Sequence, residues 1–198
     1  ETEIPSFLSR NAITDLWFSD EIEPEGRKRD STVRNEAELL GVSVHACTDQ
    51  YLYAPDAFVT GTGKPYSVFT PFKKRCLASL PEQPSVAPKE VRWLDVTEPC
   101  VDPKVPVSSG MFAAMQSSAA YDHYTEFCEN KVQQYDEQRN FPAVNGTSQL
   151  SPHLHFGVVS PRRLLHKALT VNGDGASTYA SELIWRDFYQ MIIRSEER

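Results

Sequence analysis

Hydrophobic positions along the first third of the chain switch between a two-residue and a helical period. Ile13 to Phe18 reads as a short buried strand, and Val42, Val44 and Ala46 alternate with polar residues as a second strand does. Between them, Arg27 to Leu40 places Val33, Ala37 and Leu40 roughly on one side of a helix, with Gly41 as its stop. Gly61-Thr62-Gly63-Lys64-Pro65 is a turn, and Thr70-Pro71 opens a helix running to about Leu80, with Thr as cap and Pro in the first turn. Strand–helix–strand order points to a parallel α/β layer. Two strands do not make a stable parallel sheet, which must be covered on both faces, so more of the sheet is expected ahead of residue 1.

Residues 81–110 break the pattern. Six of the 14 prolines fall there (Pro81, Pro84, Pro88, Pro99, Pro103, Pro106), as in an inter-domain linker lying over a surface. From Met111 onward the period is helical. Tyr124, Phe127, Cys128 and Val132 belong to a helix ending near Arg139, and Ser151-Pro152 and Ser160-Pro161 are helix starts of the Ser-cap, Pro-first-turn kind. Leu164, Leu165, Ala168 and Leu169 give the second of these its apolar face, Asn172-Gly173 ends it, and a last helix runs from about Thr178 to Arg194. The expected organisation is a partial α/β domain over 1–80, a linker over 81–110 and an all-α piece over 111–198.

Composition changes this picture little. The 40% hydrophobic and 24% charged residues are those of a globular protein, and no apolar run is long enough to span a bilayer. The chain starts without Met and stops inside a helical pattern, so both ends read as cut. Cys47, Cys76, Cys100 and Cys128 form no Cys-x-x-Cys pair and read as free thiols of a reducing compartment. A net charge of −7 argues against nucleic-acid binding by bulk charge, yet leaves room for a local basic groove.

Three clusters could carry chemistry. Gly146-Thr147-Ser148-Gln149-Leu150-Ser151-Pro152 puts three hydroxyls within five residues in a turn feeding a helix N-terminus, where free N–H groups favour an anion. An ordinary capped turn accounts for the same residues. In Glu182-Leu183-Ile184-Trp185-Arg186-Asp187-Phe188-Tyr189, a helix places Ile184, Phe188, Met191 and Ile192 on a core stripe and Glu182, Trp185, Arg186 and Tyr189 on the other side. Those four suit a pocket for a planar polar ligand; the alternative is a solvated face with a Glu182–Arg186 pair, against which Trp185 weighs. Tyr135 and Arg139, four apart, mean little alone. His153 and His155 lack a third ligand nearby and read as core or supporting histidines rather than a metal site.

These residues resemble a known family. Gly146 through Gly157, followed by Ser160-Pro161-Arg162, is similar to the flavin-phosphate segment of the photolyase/cryptochrome family. Glu182 to Tyr189 resembles its dimer-binding helix, Tyr66-Ser67-Val68-Phe69-Thr70-Pro71-Phe72 a motif near the end of its α/β antenna domain, and Tyr135 through Pro142 continues the match. The resemblance covers nearly the whole chain and is closest to bacterial class I cyclobutane-dimer photolyases.

The resemblance implies a doubly wound parallel-sheet antenna domain, a linker and the N-terminal part of a helical FAD-binding domain. It implies light-driven, FAD-dependent splitting of cyclobutane pyrimidine dimers by a carbon–carbon lyase, with damaged DNA as partner, in a monomeric bacterial protein of the cytoplasm that uses neither membrane nor metal. By position, Tyr135, Thr147, Ser148, Leu150 and Ser151 would contact FAD, with Gln149 contributing through its backbone. Arg139 matches a DNA-contacting arginine, and Arg186 and Tyr189 join it on the DNA-binding side. Trp185 matches the tryptophan that stacks on the flipped dimer, and Glu182 the carboxyl that hydrogen-bonds one of its pyrimidines; these two are the expected catalytic pair. Glu25-Gly26-Arg27 stands where folate-antenna members often have Asn-Glu-Arg, which leaves the second chromophore (methenyltetrahydrofolate or deazaflavin) open. The other reading on the same scaffold is a cryptochrome, a blue-light photoreceptor, against which the Glu182–Trp185 pair argues. The segment alone is expected to bind FAD weakly and repair nothing.

Overall fold

The computed structural model describes residues 3–84, 90–92, 110 and 115–196. Most of the Pro-rich stretch expected as a linker, and Cys100, lie outside them. Among the described residues the chain is mostly helical, with one small parallel sheet, and it forms two compact units, Glu1–Pro81 with Thr178–Arg198, and Glu82–Ser177.

In the first unit, helix α1 (Glu3–Arg10) leads into β1 (Asp15–Ser19), α2 (Pro24–Leu39) and β2 (Ser43–Cys47). The strands pair in parallel, Asp15 opposite Ser43 and Ser19 opposite Cys47. Strand alternation sends Leu16 and Val44 toward a small core of Leu8, Ala37 and Val42. Helix α2 starts with Pro24 in its first turn, where a missing N–H costs nothing. It ends as the sequence predicts: Gly41 takes φ 79°, its N–H reaches the Glu38 carbonyl at 3.0 Å, and the Val42 N–H reaches that of Ala37 at 3.0 Å. This pair of hydrogen bonds across a left-handed glycine satisfies carbonyls of the last helical turn and feeds Val42 into the core.

Helix α3 (Phe69–Ala78) begins earlier than Thr70 would make it, with Val68 as its extended cap residue. Thr70 lies inside the helix, and Pro71 falls in the first turn, whose N–H groups have no intrahelical partner to lose. Its buried residues Phe72 and Cys76 pack in the same unit as the buried face of the last helix, α8 (Asp174–Glu196). That face is Leu183, Ile184, Phe188 and Met191. Phe72 and Phe188 meet with ring centroids 5.4 Å apart.

In the second unit, α4 (Ser117–Asn130) buries Ala120, Tyr124, Phe127 and Cys128. The run expected to continue to Arg139 breaks at Lys131 (φ −125°), passes through a 3₁₀ turn (Val132–Gln134) and resumes as α5 (Tyr135–Gln138). The start of α8 packs directly on the backbone of this turn: a Cβ on Gly175 would stand 2.0 Å from the Val132 carbonyl oxygen. Short α6 (Ser151–His155) is capped by Leu150, not by Ser151. Leu150 is 1% exposed, so its burial sets where the chain enters the helix. Helix α7 (Pro161–Leu169) follows the sequence signal, with the Ser160 hydroxyl accepting the Arg163 N–H and Leu164, Leu165 and Ala168 buried. Leu169, expected on that face, is 40% exposed. The Tyr124 hydroxyl donates to the Leu164 carbonyl at 2.6 Å and ties α4 to α7.

Candidate functional site

The two groups of expected site residues fall in different units and are described separately. In the second unit, Tyr135 opens α5 and is buried, its ring edge-on to Phe127 with centroids 5.8 Å apart. Arg139 is exposed one turn later, its guanidinium carbon 5.7 Å from the Tyr135 ring, a cation–π contact that turns a pair uninformative in sequence into one local feature.

The hydroxyl-rich turn follows. Gly146 is buried, and a Cβ there would stand 2.4 Å from Gln138 Cβ, so the turn enters through a place without room for a side chain. Thr147 is half-buried, Ser148 buried and Ser151 exposed. Gln149 adopts φ 51°, a left-handed conformation uncommon outside glycine, and its amide donates to Asn145 Oδ1 at 3.0 Å. That twist turns Gln149 outward and Leu150 inward. No carboxylate lies between Val144 and Pro152. Three hydroxyl donors on a tight, uncharged turn fit a phosphate group, which only accepts.

Beside this turn, Ala119, Ala120, His123, Gln149 and His153 line a cleft of about 250 Å³. The His123 Nε2 is buried there without a hydrogen-bond partner among the described residues. Among the described residues, no group of three His, Cys, Asp or Glu side chains is placed to hold a metal ion.

In the first unit, α8 carries the second group. Trp185 is half-buried and lies flat against Phe69, with centroids 3.6 Å apart and planes 9° from parallel. Tyr189 follows one turn on, 57% exposed, its ring 24° from parallel to the indole at 5.4 Å. Glu182 is half-buried one turn before Trp185. Arg186, expected with them on a DNA-binding face, donates from Nη1 to the Gln50 carbonyl at 2.6 Å and lies 5.2 Å from the Tyr51 ring. Tyr51 is buried, and its hydroxyl is pushed up to about 12, first by burial and then by the Glu21 charge, against the opposing pull of Arg186.

Two residues here escape sequence reasoning. Asp187 stands beside the core stripe and is 5% exposed; its Oδ2 accepts the Tyr53 N–H at 2.9 Å. A carboxylate next to Ile184 and Phe188 is the signal that could have revealed a buried acceptor. Phe69 belongs to a recognised motif, but nothing local shows that its ring meets Trp185. Elsewhere in this unit, Glu25-Gly26-Arg27 form the first turn of α2, and the Glu21 side chain fills the space over Gly26, where a Cβ would stand 2.0 Å from Glu21 Cγ.

The architecture is shared with solved proteins of one class. The chain superposes on a bacterial class III photolyase from Agrobacterium tumefaciens with a TM-score of 0.84 at 24% identity, over 98% of this chain and 43% of that one. It superposes on a cryptochrome from Synechocystis sp. PCC6803 with a TM-score of 0.79 at 18% identity, over 98% and 44%. Residues 1–90 match the DNA photolyase family model. A deoxyribodipyrimidine photo-lyase of Escherichia coli (strain K12) is 35% identical over 204 residues, covering 96% of this chain. The chain belongs to the photolyase/cryptochrome family. It spans 42% of the E. coli relative's length. No helix among the described residues is long and apolar enough to cross a membrane.

Proposed function

We propose that this chain is part of a light-driven, FAD-dependent photolyase, a carbon–carbon lyase that splits cyclobutane pyrimidine dimers in DNA. One observation carries the reading: on α8 an indole is held flat by a neighbouring ring and left half open, with a carboxyl one turn away on the same helix. Kinship with a protein named deoxyribodipyrimidine photo-lyase supports it. Trp185 stacks on a dimer flipped out of the duplex, Glu182 hydrogen-bonds a pyrimidine edge, and Tyr189 extends the aromatic surface. Arg139 contacts the DNA backbone. Arg186 ties Gln50 to this surface, with DNA contact as its further role.

Tyr135 and the turn from Thr147 to Ser151 hold FAD: the hydroxyls donate to its phosphates, Leu150 packs beneath, and Gln149 presents its backbone. FAD, when bound, supplies the light-excited electron for ring splitting; the protein's share is binding, orientation and exclusion of water. A second chromophore, methenyltetrahydrofolate or deazaflavin, is to be identified from the pigment of the purified protein.

The test uses the full product of the gene carrying this sequence, reduced and mixed with an oligonucleotide bearing one cyclobutane thymine dimer. Dimer loss under blue light, and none in the dark, is the expected result. A bound flavin that photoreduces without repair would overturn the reading in favour of a cryptochrome.

A further inference from the structure

We propose that Phe69 is a positioning residue for Trp185, fixing the plane of the indole so that a base can stack on it from one side only. The inference rests on the reading that Trp185 is the base-stacking platform. The Phe69 ring covers one face of the indole at 3.6 Å and 9°. At that distance and angle the two rings are in full contact, and the covered face is closed to any ligand. Phe69 does not float: it sits at the first position of α3 and meets the edge of Phe188 at 5.7 Å and 74°. Phe188 is 4% exposed and packed on Phe72, itself 4% exposed. The same Phe188 ring stands 5.4 Å and 82° from the indole. A buried ring thus braces both members of the stack, and the orientation of α3 is passed to Trp185 through Phe69.

Without a ring on its covered face the indole would keep only the Phe188 edge and the offset Tyr189 ring as aromatic neighbours, and its plane would be less closely fixed. Binding of a flipped base would then carry the entropy of fixing it. Removing the flat ring while keeping an apolar side chain should weaken recognition of the dimer and spare binding to undamaged DNA, which rests on backbone phosphates.

The test is a double-mutant cycle on the full gene product, reading affinity for dimer-containing and for undamaged duplex. Phe69→Leu should weaken dimer binding about 2- to 10-fold, the worth of one aromatic pair. It should leave undamaged-duplex affinity unchanged and have no further effect in a Trp185→Ala background. Phe69→Tyr, which keeps the ring, should restore wild-type affinity. If Phe69→Leu unfolds the protein, Phe69→Met, flexible and ringless, takes its place in the cycle. An equal loss in the Trp185→Ala background, or no loss from Phe69→Leu, overturns the inference and leaves the functional reading standing. Unchanged dimer affinity in Trp185→Ala alone removes the platform reading, and the inference with it.

Discussion

Asp187 accepts the backbone N–H of Tyr53 at 2.9 Å across 134 positions of sequence, and the Tyr53 hydroxyl in turn donates to the Cys76 carbonyl at 2.7 Å. One carboxylate on the buried side of α8 therefore holds the loop after β2, and Tyr53 of that loop reaches α3. Asp187→Ala leaves the Tyr53 N–H without its acceptor, and orphaning a buried donor costs about 1–3 kcal/mol. Asp187→Asn keeps an acceptor oxygen and should lose less. Urea unfolding followed by circular dichroism should place the midpoints in the order wild type, Asn, Ala. Coincident wild-type and Ala midpoints would show that the tie carries no stability.

Arg186 separates two roles that its position in the motif leaves joined. Its bond to the Gln50 carbonyl and its place by the Tyr51 ring both use the flat guanidinium. Arg186→Lys keeps the charge and loses the geometry. If the tie dominates, the substitution destabilises the fold by about 1–2 kcal/mol and leaves affinity for undamaged DNA unchanged. Lower DNA affinity at wild-type stability would make Arg186 a DNA contact first.

These two residues mark how far the sequence could be read. Gly41, Ser160-Pro161 and the Ile184–Phe188–Met191 stripe were legible because each signal is local: a left-handed stop, a side-chain cap, a helical period. The break at Lys131 was not, nor was the close approach of Gly175 to the turn that follows it, a contact that no periodicity reveals. Ser151 looked like a cap and is not one, because burial of Leu150 overrides the local preference. The aromatic and carboxyl members of the α8 stripe could be named from the sequence. What holds them could not: Phe69 and the Gln50 carbonyl come from segments far away in the chain.

Burial also controls the thiols. Cys76 is 0% exposed, and burial pushes its thiol from an ordinary 9.0 up to about 12. The neutral form is the one the fold holds. The contribution to stability is therefore complete below about pH 9 and is lost as pH rises from there towards 12, where the unfolded thiol ionises and the folded one does not. Alkaline unfolding of wild type should be steeper above pH 9 than that of Cys76→Ala. Cys128 is also buried and its thiol raised, while Cys47 is half-buried, so iodoacetamide at pH 8 should label Cys47 well before either. Labelling of Cys76 at the rate of Cys47 in the folded protein would contradict the packing described.

Gly175 and Gly146 both lack room for a methyl group. At Gly175 the added Cβ would meet backbone, 2.0 Å from the Val132 carbonyl oxygen and 2.8 Å from the Gln133 carbonyl carbon. Backbone in a 3₁₀ turn cannot step aside without moving α4 or α8. At Gly146 the added Cβ would meet the Gln138 Cβ at 2.4 Å, which no change of rotamer moves, and the Gln138 Oε1 at 2.6 Å, which one does. Ala raises helix propensity at 175, by about 1 kcal/mol relative to Gly, so any loss there is net of that gain. Overpacking against fixed backbone costs about 1–3 kcal/mol or more and should win. Thermal unfolding should thus find both Gly175→Ala and Gly146→Ala below wild type. A wild-type midpoint for Gly175→Ala would mean that the start of α8 yields to the added methyl group, and the same result for Gly146→Ala that the turn before α6 does.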